Sequence, residues 1–280
     1  MSLGPFDLTG GPFLTLYIVL LVPTLIAGIV IPGWLRPEGR SERVSDAERL
    51  AFLAGGRQRF FDTIVTRLLA ADALNLIGKK GFVTAPGGAG RSEPERRLLA
   101  VARGEPAGWK QVEQTLQPYA AATEDDLVDA GLVMDRGVTT QLRFWQTSPY
   151  LLLIAFGLIK FGVGEARDRP VGYLTILLAI TFVLAMVRFA VVDRRTRAGT
   201  DLLANIRDRS DRLRRAPTND ETWLAVALFG TGVLAGSAWS DYHALRTATD
   251  SGAGSGCGSS GGGCGGGGGG GGGGCGGCGS

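Results

Sequence analysis

The sequence predicts a mainly α-helical, multi-pass membrane protein with a small winged-helix-like α+β domain on the cytoplasmic side and a disordered Gly/Cys-rich tail. Three observations carry that class. Long uncharged apolar runs alternate with densely charged stretches, so a mean hydropathy of +0.15 alongside 20% charged residues averages two unlike kinds of segment. Arginine is concentrated in one stretch, which sets an orientation. The end of the chain, Gly252 to Ser280, holds 20 of the 45 glycines and all 4 cysteines.

The first apolar run, Phe13 to Ile31, has no charge and lies between Pro12 and Pro32; it predicts a transmembrane helix within residues 1–35. Two further runs, Tyr150 to Val163 and Val171 to Val192, are joined by a short polar turn and predict a helical hairpin over residues 147–192. Lys160 sits near the far end of the first of these, and Arg188 near the end of the second, where an arginine can snorkel to the headgroups. A fourth run, Trp223 to Trp239, has tryptophans at both ends as interfacial anchors and predicts a fourth transmembrane helix over residues 221–245.

Cationic residues collect on the cytoplasmic side of a membrane. Eight arginines against four aspartates lie between Asp193 and Arg215, so the end of the third run is expected in the cytoplasm. The N-terminus is then outside, residues 36–146 are cytoplasmic, and a fourth span would put the tail, residues 246–280, outside. Residues 193–220 read as a basic juxtamembrane segment lying on anionic lipid, with Leu202, Leu203, Ile206 and Leu213 on its apolar side.

In the 36–146 domain, Ser45 and Glu48 have capping-box spacing before a helix that ends at Gly55-Gly56. A second helix carries Phe60, Phe61, Ile64, Leu68 and Leu69 at helical spacing. Leu74–Ile77 and Phe82–Thr84 then flank Gly78-Lys79-Lys80-Gly81 as a β-hairpin. Two helices followed by a hairpin outline a winged helix. Ser92 to Glu95 opens another helix as a capping box with an early proline, and Gly131 stops a helix before a short strand, Leu132-Val133-Met134. The runs into the two strands look like a degenerate repeat. Arg57, Arg59, Arg67, Lys79 and Lys80 would be the DNA-reading residues of a winged helix. With 16 basic against 15 acidic side chains between Arg36 and Arg143, nucleic-acid binding is not expected.

No catalytic constellation is present in the sequence, so no enzymatic activity and no cofactor are expected. His243 is the single histidine, and Glu124-Asp125-Asp126 with Asp129 reads as a helix start. The chemistry left is that of the thiols. Cys275-x-x-Cys278 has the spacing with which two thiolates grip one metal ion, and Cys257 with Cys264 would complete a four-thiolate site. Disulfides, or covalent processing of the exposed cysteines, are open alternatives.

Asp46-Ala-Glu-Arg-Leu-Ala-Phe-Leu-Ala-Gly-Gly, Leu127-Val-Asp-Ala-Gly-Leu-Val, Arg169-Pro-Val-Gly-Tyr, Arg194-Arg-Thr-Arg-Ala-Gly and Leu224-Ala-Val-Ala-Leu-Phe-Gly, followed by the tail, resemble in their order an uncharacterised bacterial membrane-protein family. Such proteins combine an N-terminal membrane helix, a small cytoplasmic domain, a membrane hairpin and a Gly/Cys-rich tail, so the resemblance implies this architecture in a bacterial inner membrane and carries no established activity to transfer. The expected function is a non-enzymatic membrane protein presenting its tail for interaction or crosslinking. A membrane-tethered regulator binding DNA or a protein partner, and a thiolate metal-binding protein, are the alternatives. The lipid bilayer is the expected partner throughout.

Overall fold

A computed structural model describes residues 10–40, 42, 44, 46–78, 81–165, 172–215, 218 and 221–252. The hairpin-tip lysines Lys79 and Lys80, the proposed cap Ser45, the turn between the second and third apolar runs, and all four cysteines lie outside these residues.

Two bodies of opposite polarity make up the chain. Helices α1 (Gly10–Leu35), α5 (Arg136–Glu165) and α6 (Gly172–Ala190) pack into an apolar bundle, and all three are long and apolar enough to cross a membrane. Most of their large outward side chains are apolar, with Ile29 68% and Leu152 72% exposed, whereas Tyr17, Tyr150 and Thr181 are buried. Tyr17 donates to Thr181 Oγ1 at 3.2 Å in that interior.

At Pro32 and Pro149 the bundle supplies a new donor for the carbonyl that proline leaves unpaired. Pro32 has no N–H for the carbonyl of Gly28, one turn back, and the Arg188 guanidinium from α6 donates to that oxygen instead, through Nε at 2.8 Å and also through Nη2. Arg188 therefore points into the bundle and does not snorkel outward. Glycine at 28 lets the Tyr150 ring pack against this turn, since a Cβ there would stand 2.5 Å from its hydroxyl. In α5, Pro149 frees the Trp145 carbonyl, which accepts the Ser148 hydroxyl at 2.9 Å. The helix runs unbroken past the expected 146/147 boundary.

The second body is built from α2 (Ala47–Ala70), the strands β1 (Leu74–Ile77) and β2 (Gly81–Thr84), α3 (Glu93–Val101) and α4 (Trp109–Asp129). It is completed by elements from beyond the bundle: α7 (Arg197–Arg209), α8 (Asp211–Arg215), α9 (Thr222–Phe229) and α10 (Ser240–Gly252). Asp46, not Ser45, is the N-cap of α2, and its carboxylate accepts from the Glu48 amide. As expected, one helical segment stops at Gly55-Gly56 and a second begins after it, the two meeting in a kink where Gly56 adopts φ +67°. The expected hairpin forms, Leu74 opposite Thr84 and Ile77 opposite Gly81, so that Gly81 joins the second strand. Ser92 and Glu95 form the expected capping box.

Both suspected repeat termini close alike. At the first, Asp72 (φ +50°) donates to Leu69 O and Ala73 to Leu68 O; at the second, Gly131 (φ +71°) donates to Val128 O and Leu132 to Leu127 O. After the second, residues 132–134 pair antiparallel with 194–196, through Met134 N to Arg194 O at 2.7 Å and Thr196 N to Leu132 O at 3.1 Å. The acidic group around Glu124 lies in the C-terminal half of α4, so a helix N-terminus does not account for it.

Residues 221–245 differ most from expectation. They do not form a spanning helix: α9 is 8 residues long, stops at Gly230 (φ +92°), and is followed by a 3₁₀ turn, Thr231–Leu234. Ala225, Val226, Ala227 and Leu228 are wholly buried, and Val226 and Leu228 join one core with Phe60, Ile64, Leu98, Leu116 and Tyr242. Trp223 lies against the Arg67 guanidinium, 5.9 Å from ring centre to Cζ. Leu203 and Leu213 are buried in the same core, with Leu202 and Ile206 packed against it. The apolar side of the basic 193–220 segment thus faces protein, where a lipid surface was expected. The described residues on either side of the apolar bundle in sequence thus share one core.

Deleting residues 253–280 is expected to leave the melting temperature of the remaining chain unchanged, because a segment of nearly pure glycine has almost no apolar side chain to bury. Deleting 222–280 strips α9 from α2 and is expected to abolish cooperative unfolding of the domain, as followed by circular dichroism in detergent. Within α9, Leu228→Ala alone should cost about 2–5 kcal/mol.

Candidate functional site

The described residues place the chemistry of this chain in three charged clusters around α2. The first fastens α10. Asp62, on α2, is buried beneath Tyr242 and Arg246 of α10; the Tyr242 hydroxyl donates to Asp62 Oδ1 at 2.7 Å and Arg246 Nε donates to the same oxygen at 2.7 Å. Arg246 Nη2 reaches Gln58 Oε1 at 3.1 Å, and its guanidinium stacks 3.9 Å from the Trp109 ring centre. Phe82, Trp109 and Tyr242 close the cluster with ring centres 6.0–6.4 Å apart. Burial pushes the Asp62 carboxyl above its usual range, against the pull of Arg246 and the Tyr242 hydrogen bond. The Tyr242 phenol is raised further by burial and by the Asp62 charge, so it stays a donor at any physiological pH.

The second cluster surrounds Glu124, 1% exposed on α4. Arg57 donates at 2.8 Å, Arg194 approaches at 2.7 Å and Arg136 at 3.7 Å. Burial raises a carboxyl, but the hydrogen bonds and charges of Arg57 and Arg194 outweigh it and hold Glu124 below its usual value. The pair joins α4 to α2, to the start of α5 and to the segment leaving α6. Asp126 meets Arg49 at 3.1 Å in the same region. Arg67, a DNA-reading candidate, is similarly committed to Glu48 at 2.7 Å, to Ser92 at 3.1 Å and to the buried Glu95.

The third cluster lies at the Gly55–Gly56 kink. Arg195, the second residue of the strand-like pair with Val133, donates through Nε to Leu53 O and through Nη2 to Ala54 O, both at 2.6 Å. Arg207 from α7 donates to Leu228 O at 3.1 Å and reaches Ala54 O at 3.5 Å. Arg59 lies beside them, its guanidinium 2.9 Å from where a Gly230 Cβ would stand. Burial and the neighbouring arginines lower the pKa of Arg59.

Of the sequence candidates, Cys257, Cys264, Cys275 and Cys278 lie outside the described residues. His243 contacts Thr231 Oγ1 at 3.3 Å beside the 3₁₀ turn and joins no constellation. Among the described residues no group of three or more His, Cys, Asp or Glu side chains is arranged to hold a metal ion. The three arginine clusters were not anticipated; the density of arginine after Asp193 was the available signal, and it was read as lipid-facing. No protein-family model, curated protein or solved structure matches the chain, so its function rests on these residues.

Two outcomes follow. Arg246→Met leaves Asp62 buried with one fewer partner and is expected to cost about 3–5 kcal/mol in denaturant unfolding, while adding Asp62→Asn recovers much of the loss. Glu124→Gln is expected to cost about 1–3 kcal/mol at pH 7, reduced because its arginines are partly solvated. The depressed Glu124 pKa gives stability that is present above the unfolded carboxyl value and is lost as pH falls through the folded one. The deficit of Glu124→Gln should therefore shrink in unfolding curves taken below the ordinary carboxyl value of 4.5.

Proposed function

We propose that this chain is a non-enzymatic, three-span integral membrane protein that presents its Gly/Cys-rich tail at the cytoplasmic face for interaction with a protein partner. Arginine enrichment in 193–215 supports an N-terminus outside and both 36–135 and 193–252 inside. The carrying observation is the fastening of α10 to Asp62 by Tyr242 and Arg246, which starts the tail at the domain surface. A tail of nearly pure glycine has no apolar side chains to bury and offers its cysteines to any partner that reaches them. This reading replaces an exported tail: α9 is buried in the domain core, and among the described residues three helices are long and apolar enough to cross a membrane.

A cytoplasmic tail meets a reducing environment, which disfavours disulfide crosslinks and keeps the thiols available. That supports a second reading, capture of a soft metal ion by Cys275-x-x-Cys278 with Cys257 and Cys264. A DNA-binding regulator has less support, because Arg57 and Arg67 are spent on buried carboxylates.

A membrane-impermeant maleimide tests the placement. All thiols are in the tail, so labelling only after permeabilisation is expected, and labelling of intact cells would sink the proposal. For the second reading, zinc or copper should copurify with the intact chain and be lost from Cys275→Ser/Cys278→Ser. Metal content that is the same in both leaves interaction alone.

A further inference from the structure

Arg143, on α5, carries a charge that no carboxylate or carbonyl takes up among the described residues. Its side chain is half-buried, and its guanidinium rests 5.9 Å from the centre of the Phe189 ring on α6. Its Nε is buried and makes no hydrogen bond among those residues. The neighbouring arginines are engaged: Arg188 donates to the Gly28 carbonyl, Arg36 to Asp193 and Thr200, and Arg194 pairs with Glu124. A guanidinium partly withdrawn from water without an acceptor is costly, and an acceptor from outside the chain would offset that cost.

The three helices of the bundle agree on where Arg143 sits. Gly28 lies against Tyr150, and Gln146 donates to the Arg188 carbonyl at 2.6 Å. The last turns of α1 and α6 therefore meet α5 near Arg143, at one end of the bundle. Each helix exposes an aromatic ring there: Trp34, which is 82% exposed, Trp145 and Phe189. Further along each helix the exposed side chains are aliphatic, as at Ile29, Leu152 and Val187. Rings at the margin of an apolar surface mark a lipid–water boundary. Tyr173, also exposed, is the counterpart near the other end of α6. It lies about 24 Å from Phe189 at 1.5 Å per residue, close to the thickness of a bilayer core.

We infer that Arg143, held over the Phe189 ring, docks the headgroup of an anionic phospholipid. The fork of guanidinium donors matches phosphate oxygens. The same place suits the rest of the molecule, because Phe182, Met186 and Phe189 are exposed at helical spacing and form an apolar stripe along which an acyl chain can lie. A zwitterionic headgroup carries its own ammonium to compete for the phosphate, so a net negative lipid is favoured. The site rests on the membrane reading above and is independent of where the tail lies. It places lipid contact on α5 and α6, where the 193–220 segment instead faces protein.

Thermal unfolding of the full chain in nanodiscs of phosphatidylcholine with rising proportions of phosphatidylglycerol tests this. The parent is expected to show a saturable rise in Tm of about 2–4 °C. Arg143→Gln should lose the rise, and Arg143→Lys, which keeps the charge, should retain part of it. Arg96→Gln, exposed and paired with Glu93 on α3, should respond as the parent does. If Arg143→Gln does not fold, Arg143→Met, which keeps an apolar stem against Phe189, takes its place. A purely structural arginine would lower Tm equally with and without phosphatidylglycerol, and that result overturns the proposal. So does a rise that persists in the neutral variant. Incorporation of the parent with no response to phosphatidylglycerol overturns the site alone, whereas failure to enter nanodiscs overturns the membrane reading and the site with it.

Discussion

The apolar face of α2 cannot be buried by the residues that precede the bundle, and the whole arrangement follows from that shortage. β1, β2, α3 and α4 cover one side, but Phe60, Ile64 and Leu68 also need α9, which arrives only after the chain has passed through α5 and α6. The domain is therefore interrupted in sequence and continuous in space. Its two parts cannot separate without exposing a core of wholly buried aliphatic and aromatic side chains, a cost that far exceeds the marginal stability of an ordinary domain.

Arginine performs the joining. Arg194 reaches Glu124, Arg195 reaches the kink carbonyls, Arg207 reaches both the kink and α9, and Arg246 reaches Asp62. Each holds a segment from beyond the bundle to one from before it. A guanidinium suits this task because its fixed fork of donors spans two acceptors at once and its charge is little changed by partial burial. Arg188 does the same inside the bundle, where it replaces the hydrogen bond that Pro32 denies to Gly28. These contacts give register more than they give net stability, since each desolvates a charge.

What was legible in the sequence is what local chemistry decides. The β-hairpin, the Ser92–Glu95 capping box, the stop at Gly131 and three long apolar helices depend on neighbours within a few residues, and each was found. Residues 221–245 were misread because a run of apolar residues looks the same to sequence whether lipid or protein covers it. Gly230, Gly232 and Gly236 within 17 residues were the warning, as Gly230 and Gly236 take positive φ and end regular helix. The charged clusters were invisible for a different reason: Asp62 and Arg246 are 184 residues apart, and no spacing rule reaches so far. Asp46 caps α2, its carboxylate accepting from the Glu48 amide, while the expected cap Ser45 lies outside the described residues.

Helix α5 has a mechanical consequence. It begins in the domain at Arg136, held beside Glu124, and runs 30 residues to Glu165 without a joint where the two bodies meet. At 1.5 Å per residue it is a shaft of about 45 Å. The Ser148 hydroxyl keeps it in one piece at Pro149, where a hinge would otherwise form. A lean of about 10° at one end displaces the other by roughly 8 Å over that length. Side-to-side force on the apolar bundle is thus delivered to the domain as rotation, with no soft linker on this path to absorb it.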